Sequence, residues 1–499
     1  MGGMSVSSPP PGECPGCAER DAVIEAQAAA VRELQARVER LERLISRNSG
    51  NSSFPPSMDG QPGRRRRAPR PRPGGEGEGG GRRPGKQPGT PGAYLAWRQT
   101  PDERAAVRPG GRCGCGADLA GARDLGVVSS HQQADIPLAT ARVTQYDLHA
   151  ARCRGCGRAA AAAPPPGLGA PGTVTYGPNL QAWCVYLMVA HAVPVHRCAE
   201  LLAALSGAAP SAGFGHGLLA RAAAAVAPAN RLIRSLVILE PAVCCDETPL
   251  RAGPGPSWRR QHLLVASTPG LTYYMTGDRT AASFARFVLP DLAGTVVRDR
   301  YQVYDHARLG KLTHQLCCAH LLRDLQDAAE TYPRAAWPAQ ASRALRQLIH
   351  AANRARDQGL AAVPPGTAGP LAAAFRDAVA AGLAEMAAMP RGIRKNHRQP
   401  CQQLLQDLRD READVLRFTA DLRIPPTSNQ AERDLRPAKT QDKISGRLRS
   451  EQATRHRYAI RGYLSTAAKH RTDVLTALRD ALLGIPWMPP IPQTALNTA

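Results

Sequence analysis

Three acidic residues in this chain have the types and positions needed for metal-dependent chemistry. Asp246 closes the β-rich run VCCDETPL, Asp299 closes GTVVRD, and Glu432 lies in the helix-forming stretch SNQAERDLR. Carboxylates held at the ends of strands are suited to hard cations that prefer oxygen ligands. Three such acids can bind two Mg²⁺ ions about 3.5 to 4 Å apart, as in phosphodiester cleavage. The spacing therefore predicts a magnesium site that acts on phosphate esters.

Each acid also has a purely structural explanation. Asp246 and Glu247 could cap a turn, and Asp299 could pair with a neighbouring arginine, Arg298 or Arg300. Glu432 follows Asn429 by three residues, which is the spacing of a helix capping box. Residue types and spacing alone leave both interpretations open.

Basic residues cluster in two segments. Residues 61–90 hold nine Lys or Arg against two Glu, and residues 432–471 hold eleven against four acids, so each segment has a local charge of +7. A solvated tether is the usual role of such a run, but a DNA-binding protein uses it to contact phosphates. The predicted DNA contacts are Arg64, Arg65, Arg66 and Arg67 in the first segment and Arg436, Lys439, Lys443, Arg447 and Arg449 in the second.

Two close cysteine pairs, each followed by glycine, predict a zinc ribbon. Cys113 and Cys115 form the first pair and Cys153 and Cys156 the second. Four thiolates on two turns suit tetrahedral Zn²⁺, although the first pair has one intervening residue where two are usual. A further pair, Cys14 and Cys17, has no second pair nearby; free thiols and zinc shared across a dimer remain alternatives.

The N-terminal segment is predicted to form a short parallel coiled coil. Ile24, Val31, Val38 and Ile45 occupy one core position of a heptad repeat, and Leu34 and Leu41 occupy the other, with Gln27 as an interruption. Branched residues at the first position with leucine at the second favour a dimer. An amphipathic helix packed on its own protein is the alternative.

Composition changes along the chain divide it into six predicted regions. These are a Cys-x-x-Cys and coiled-coil segment (1–47), a basic Pro/Gly-rich linker (48–95), a zinc-ribbon DNA-binding domain (96–165), a helical, helix-turn-helix-like region (166–240), a catalytic domain (241–475) and a C-terminal tail (476–499). The helical region could equally be plain core packing. The 133 residues between Asp299 and Glu432 have a helical texture, which predicts an α-helical insertion at about 321–420.

The overall composition limits the possible classes of protein. The chain has 499 residues, 43% of them apolar, and a net charge of +23. A wholly disordered chain is excluded, and so large a positive charge is unusual for an enzyme of neutral substrates. There is no apolar stretch of membrane-spanning length and no signal peptide, so we expect a cytoplasmic protein with a polyanionic partner and no membrane association.

Several long strings, in the same order, make the chain resemble the DDE transposases of the insertion sequence 66 family over nearly its whole length. They include NSGNSSFPPSMDG, YGPNLQAWCVYL, CCDET, LLVASTPGLTYYM, RDRYQVYD, LCCAHLLRDL, SNQAERDLR and KISGRLRS. The chain departs from the usual pattern at Cys244, Cys245, Pro249 and Thr90, none of which is one of the three acids.

The resemblance implies a multidomain α+β protein whose ribonuclease-H-like α/β core is interrupted by the helical insertion. It implies that Asp246, Asp299 and Glu432 are the catalytic acids and that Mg²⁺ or Mn²⁺ is the cofactor, besides Zn²⁺ in the ribbon. It also matches a Cys-x-x-His motif to Cys317 and His320, with a buried strand-to-helix junction as the alternative, and a basic position to Lys439.

The implied activity is cleavage at the terminal inverted repeats of an insertion sequence, followed by strand transfer. The implied partners are double-stranded DNA at the element ends and target, a second copy or more of the chain, and accessory proteins of the same element, at the bacterial nucleoid. A non-catalytic, zinc-dependent DNA-binding regulator or an inactive relic is the rival, and a repair nuclease with the same acids is a third hypothesis.

Overall fold

A computed structural model describes residues 23–31, 34, 35, 38, 97–120, 122–134, 140–165, 168, 174–253, 261–388, 401–448 and 450–491. The chain divides into two compact units, residues 69–141 and residues 1–68 with 142–499. The predicted contacts Arg64 to Arg67 and Arg449, the thiols of Cys14 and Cys17, and the seam residues Leu41 and Ile45 lie outside the described residues.

In the unit of residues 69–141, the described residues form turns and extended chain. Cys113 and Cys115 are exposed. The Cys113 amide donates to Ala117 O at 2.8 Å, and the Gly116 amide donates to Cys113 O at 2.7 Å, so this pair lies in a closed turn.

The second cysteine pair, in the other unit, lies in the turn between two short strands. β1 (Ala150–Arg152) and β2 (Ala159–Ala161) pair antiparallel, with Arg152 opposite Ala159. The Gly157 amide donates to Cys153 O at 2.9 Å, and Gly157 adopts a positive φ of 70°, a backbone conformation that favours glycine.

Residues 23–31 form a helix, α1, as the heptad pattern predicts. Its apolar seam is open to solvent: Ile24 is 60% exposed and Val31 is 52% exposed, and Leu34 and Val38 are exposed as well.

Four helices follow: α2 (Pro178–Val189), α3 (Val195–Ser206), α4 (Ala212–Ala225) and α5 (Ala227–Leu239). A proline in the first turn starts α2, and Gly207 in the left-handed conformation ends α3. The Ser211 hydroxyl caps α4 by accepting the Phe214 amide at 3.1 Å. The buried faces of α2 to α4 share one apolar cluster with two helices from the end of the chain.

One five-stranded sheet follows, with the order β5-β4-β3-β6-β7. The strands are β3 (Ala242–Leu250), β4 (Gln261–Ser267), β5 (Thr272–Gly277), β6 (Thr295–Arg298) and β7 (Thr313–Leu316). β3, β4 and β5 form an antiparallel meander, whereas β6 and β7 run parallel to β3. α6 (Ala281–Ala285) and three short 3-10 turns (Leu289–Asp291, Gln302–Asp305 and Ala307–Leu309) lie among these strands.

The two faces of the sheet bury different sets of side chains, because successive residues of a strand point to opposite faces. Val243, Cys245 and Leu264 belong to a cluster with α5 and α6. Cys244, Val265 and Tyr274 belong to a larger cluster with the helices that follow β7. By this alternation Asp246 lies on the same face of the sheet as Cys244, and Glu247 lies on the same face as Cys245.

The chain between β7 and the helix carrying Glu432 is helical where it is described. It contains α7 (Cys318–Thr331), α8 (Trp337–Asp357), α9 (Pro365–Ala388), α10 (Gln402–Asp410) and α11 (Glu412–Ala420). Trp337, Phe375 and Leu405 are buried in the cluster that these helices share with the sheet. Helices therefore occupy the described part of the interval in which the sequence predicts an insertion.

Three helices complete the fold: α12 (Asn429–Ile444), α13 (Glu451–Lys469) and α14 (Val474–Leu482). The sequence predicts a tail from residue 476, but α14 is an amphipathic helix that buries Ala477, Leu478 and Ala481 against α2 and α4. This apolar stripe explains why the chain stays ordered there. Among the described residues, no single helix is long and apolar enough to cross a bilayer, although the bent pair α4 and α5 would pass on length and composition.

Candidate active site

Asp246 lies inside β3 and does not close it as the sequence suggests. The strand continues to Leu250 because β4 stays paired with it as far as Gln261. The parallel neighbour β6 is shorter, and its last pair with β3 joins Cys244 and Val297. Asp246 therefore lies where β6 has ended, and the same register continued by two residues places it beside Asp299.

The Asp246 carboxyl is half-buried and electrostatically coupled to the other two acids. Its Oδ1 accepts the Glu247 amide at 2.8 Å. Burial, reinforced by the negative charges of Asp299 and Glu432, raises its pKa to about 7, although His320 and that hydrogen bond act in the opposite direction. Asp246 therefore lies within electrostatic reach of Asp299 and Glu432.

Asp299 directly follows β6 and stabilises the turn that leaves the strand. Its Oδ1 accepts the Tyr301 amide at 2.9 Å. The fully buried Arg298 donates to Asp299 O at 2.9 Å and forms an ion pair with Asp305 at 2.5 Å. Arg300 pairs instead with Asp324 and Asp407. Neither neighbouring arginine forms an ion pair with the Asp299 carboxylate, so the simple pairing alternative is wrong.

Glu432 lies in the first turn of α12, and its side chain is 27% exposed. Its Oε1 is 3.8 Å from His320 Nε2 and 3.7 Å from an Arg323 guanidinium nitrogen. No side chain caps the start of α12, so the capping-box alternative is wrong as well.

Cys317 and His320 join the start of α7 to this acidic cluster. Cys317 is buried and the His320 side chain is only 12% exposed, and burial opposes the charged form of each. Their mutual contact outweighs burial: it lowers the pKa of Cys317 and, together with the charges of Asp299 and Asp246, raises the pKa of His320 to about 9. The structure thus combines the two interpretations of this motif, because the pair lies at a buried strand-to-helix junction and also faces the acids.

Three cysteines hold the segment that leads into α12. Cys317 Sγ accepts the Ser428 amide at 3.2 Å, and the Cys318 amide donates to Pro426 O at 2.9 Å. The Cys244 thiol, from β3, donates to Thr427 O at 3.8 Å. One backbone group of each of three consecutive residues, Pro426 O, Thr427 O and Ser428 N, is bound in this way, which fixes the start of the helix carrying Glu432.

A buried polar network holds α12 one half-turn further along, at Asp434. Its carboxylate pairs with Lys469 Nζ of α13 at 2.8 Å and accepts the Ser267 hydroxyl at 2.7 Å and the Thr272 hydroxyl at 3.1 Å. The Tyr274 hydroxyl donates to Asp434 O at 2.5 Å. Asp434 therefore links the helix that carries the third acid to β4, β5 and α13.

The sequence offers turn capping as a structural alternative for Glu247 and does not predict its surroundings. Its side chain is 5% exposed, forms an ion pair with Arg279 at 2.8 Å and accepts the Tyr304 hydroxyl at 3.3 Å. Burial and the charges of Asp299 and Asp246 raise its pKa to about 8 despite Arg279. Alternation along β3 was the available signal, since it places adjacent acids on opposite faces of the sheet.

The predicted DNA-contacting residues of α12 share one helix face with Glu432. Arg436, Lys439 and Lys443 follow Glu432 at intervals of four, three and four residues, which is the spacing of a helix stripe. Arg436 and Lys443 are exposed, and Lys439 is half-buried. Arg447, beyond the helix end, is exposed too.

The chain matches the model of the family described as Transposase IS66 family over residues 173–456, more than half of its length. The chain belongs to the IS66 transposase family. Residues 7–96 match a second model, described as a family of unknown function. No curated protein matches the chain.

Membership of the IS66 transposase family indicates transposase function and DNA as the partner. All three predicted acids, the Cys317 and His320 pair and the basic face of α12 lie inside the matched range. The cysteine pairs and α1 lie outside it.

A divalent metal is general in DDE transposases, and the acids here fit one. The donor set is three carboxylates, the hard oxygen ligands that Mg²⁺ prefers, and burial together with their mutual repulsion raises the pKa of Asp246. The described residues contain no group of three or more His, Cys, Asp or Glu already arranged as a metal cage. A catalytic Mg²⁺ site does not need one, because water and substrate phosphates complete the coordination.

The same finding gives no support to zinc in the described part of the chain. Within each cysteine pair, hydrogen bonds between the two cysteines lower the pKa of Cys113 and of Cys153, which favours the thiolate that a metal binds. The four-cysteine site remains a prediction of the sequence.

Proposed function

We propose that this IS66-family transposase binds the terminal inverted repeats of its element and catalyses metal-dependent DNA cleavage and strand transfer with Asp246, Asp299 and Glu432. The observation that carries the proposal is the convergence of the three carboxylates. The β3/β6 register brings Asp246 and Asp299 together, and Glu432 lies near them on α12. Burial, and then the charges of both other acids, raise the pKa of Asp246.

The sheet supports a ribonuclease-H-like core. An antiparallel meander of three strands, extended on the side of its first strand by two parallel strands, gives the order β5-β4-β3-β6-β7. Acids on the first strand and directly after the fourth then meet at one edge of the sheet. The helices α7 to α11 would form the insertion before the third acid.

In this mechanism the three acids would hold divalent ions. Bound Mg²⁺ would activate the attacking oxygen and stabilise the leaving oxygen of the phosphodiester. Asp246 must be ionised to bind, and His320 and Arg323 balance the negative charge around Glu432. Arg436, Lys439 and Lys443 would contact backbone phosphates leading to the acids and fix the register of the DNA.

The remaining predictions concern binding and assembly. The zinc ribbon, the basic linker and helices α2 to α5 would recognise the terminal repeats, and α1 would bring two copies together. The burial of α2 to α4 against α13 and α14 also supports a core-packing role for these helices.

Replacement of single acids in the full-length protein tests the proposal. We expect Asp299→Asn and Glu432→Gln to bind a terminal-repeat duplex normally in a gel shift. Cleavage and strand transfer in Mg²⁺ should fall about a thousandfold or more. Asp442→Asn is the matched control, because Asp442 is on the same helix and its ion pair in the described part of the chain is a long one, 3.7 Å, to the exposed Arg251.

The outcomes separate the rivals. Joining of DNA ends by either acid variant would overturn the catalytic assignment. A wild-type protein that binds ends and never cuts them would favour the regulator or relic, and cutting without insertion into a second molecule would favour a repair nuclease.

A further inference from the structure

A cavity of about 800 Å³ lies at the open edge of the sheet, beside β5. Its walls come from β5, the start of β4, α6 and its C-terminal flank, and α13. A cavity of this size can take a nucleotide, since pockets for small molecules typically measure about 300 to 1,000 Å³. None of the three acids lines it.

The strand registers relate the cavity to the acids. Asp246 pairs with Val265, which pairs with Tyr274 in the cavity wall, and the wall extends to Gly277 three residues further along β5. Two strand spacings and three residue rises put Gly277 roughly 14 Å from Asp246. That distance is about four nucleotides along one DNA strand.

The charged side chains at the cavity favour an anion. Arg286 contacts the Ser283 hydroxyl at 3.4 Å, and no ion pair to it is found among the described residues. Arg455 is 63% exposed, and its pair with Glu451 is long, at 3.6 Å. Asp278 is the one carboxylate that lines the described cavity, and its Oδ1 accepts the hydroxyls of Ser283 and Thr280. Two arginines against one acid leave a positive charge for a phosphate.

The remaining walls suit a planar group with polar edges. Tyr274 and Tyr458 have ring centroids 5.8 Å apart and are nine-tenths buried. The Tyr458 hydroxyl and Gln261 Oε1 are buried without a hydrogen-bond partner in the described part of the chain. Buried polar atoms of this kind usually have a partner, which a nucleobase edge would supply after a small side-chain rotation.

We propose that this cavity binds an extrahelical nucleotide of the DNA substrate, a few positions from the phosphate that is cut. Its phosphate would contact Arg286 and Arg455, and its base would lie against Tyr274 and Tyr458. Unpairing a base costs energy, which base contacts in a pocket can offset. The proposal rests on the proposed function, because it takes DNA as the substrate.

Fluorescence of 2-aminopurine tests the proposal with the full-length protein. Terminal-repeat duplexes would carry the probe at single positions on either side of the cut, on both strands. We expect one or two neighbouring positions on one strand to brighten about threefold or more on binding, because the base leaves the stack. Cleavage of the same duplexes in Mg²⁺ is measured separately and reports on the proposed function.

Two variants link the signal to the cavity. Ala459→Trp fills the cavity from α13 and should abolish the rise, whereas Ala459→Ser should keep it. The double variant Arg286→Gln/Arg455→Gln changes two exposed side chains, so folding is not at risk, and should reduce the rise at least severalfold. Arg231→Gln, an exposed arginine on α5, is its charge control.

Either of two results overturns the proposal: no position brightens although the wild-type protein binds and cuts, or the rise is unchanged in the filled and the arginine variants. A fluorescence rise that depends on the cavity, in a wild-type protein that does not cleave DNA, would support nucleotide binding in the cavity. The same result would contradict the catalytic assignment.

Discussion

At the scale of residues, Asp246 and Glu247 are neighbours that meet different surroundings. Asp246 faces Asp299, Glu432 and His320, whereas Glu247 faces Arg279 and Tyr304 on the other side of the sheet. Burial raises the pKa of both carboxyls, to about 7 and about 8. Both carboxyls are therefore harder to ionise in the folded protein than in the unfolded chain, so the stability of the protein depends on pH.

Without divalent ions, the protein should lose stability as the pH rises from about 6.5 to about 8. Below this window the half-buried His314, whose pKa is lowered by burial to about 4, acts in the opposite direction. Both carboxyls have a folded-state pKa above the value of about 4 in the unfolded chain, so in this window the folded state binds more protons. We expect the free energy of unfolding to fall by about 1 to 3 kcal/mol across it. Urea unfolding in EDTA at several pH values measures this.

Glu247→Gln should flatten that dependence, whereas Glu412→Gln, a half-buried glutamate of α11, should not. An unchanged slope in Glu247→Gln would show that another group is responsible. Added Mg²⁺ should stabilise the wild-type protein most at the upper end of the window, where Asp246 is ionised.

At the scale of elements, the position of α12 decides where Glu432 lies. Its start is held by Cys317, Cys318 and Cys244, and its next half-turn by Asp434. The third acid is thus placed by contacts to β3, β4, β5, α7 and α13. The geometry of the acids depends on this packing more than on the helix itself.

Asp434→Asn should destabilise the protein by about 3 kcal/mol, because it leaves the Lys469 ammonium buried and unpaired. Lys469 is only 12% exposed and donates to Thr268 O and Leu271 O as well. Asp442→Asn, on the same helix, removes an exposed pair at 3.7 Å and should change stability by less than about 0.5 kcal/mol. Equal effects in urea unfolding would contradict a dominant role for the buried pair.

Gly294→Ala should also be costly, by roughly 2 kcal/mol or more, because overpacking against rigid backbone is not easily relieved. A Cβ there would lie far inside van der Waals contact with Glu240 O and Pro241 O, where the chain entering β6 runs beside the chain entering β3. Gly366→Ala, in α9 with open space around it, should be neutral or slightly stabilising. A normal melting temperature for Gly294→Ala would show that the backbone around Gly294 can move apart to accept the methyl group.

The local sequence pattern predicts the secondary-structure elements well, but it predicts poorly which elements pair or pack with one another. The runs VCCDETPL, HLLVAST and LTYYMTG predict β3, β4 and β5, since branched and aromatic residues between turns favour strands. The end of β3 could not be read in this way, because its extension past Asp246 depends on pairing with β4, the next strand along the chain. The place of β6 beside β3 depends on pairing between strands that are more distant in sequence.

Polar networks were also beyond the reach of sequence reasoning. In the sequence, Asp434 is one of several charged residues on a predicted helix. Only the packed structure shows that it pairs with Lys469 and accepts hydrogen bonds from Ser267 and Thr272. The C-terminal tail was misjudged for a similar reason, because the apolar stripe of α14 is short and gains its meaning from α2 and α4.

At the scale of the whole molecule, the charge of +23 is unevenly distributed. Residues 1–60 carry six basic and eight acidic residues, a net −2, whereas residues 61–90 and 432–471 each carry +7. In the second segment, basic residues follow Glu432 along one face of α12. A positive face of this kind attracts a polyanion and raises its rate of association.

The exposed seam of α1 leads to a prediction about assembly. Ile24, Val31, Leu34 and Val38 are each more than half exposed. Pairing of this seam with a second copy would bury the apolar side chains in a coiled coil. We therefore expect the full-length protein to sediment as a dimer or larger at micromolar concentration and to dissociate on dilution.

Val31→Glu/Leu34→Glu should shift the protein towards the monomer, because charges in the seam cannot be buried. Ala29→Glu places the same charge on the opposite side of α1 and should leave the sedimentation coefficient unchanged. A wild-type protein that is monomeric at all concentrations, or a seam variant that associates as well as the control, would contradict the coiled coil. If the seam variant still cuts single DNA ends but no longer joins a pair of ends to a target, α1 serves the pairing of ends and not the chemistry at each acid cluster.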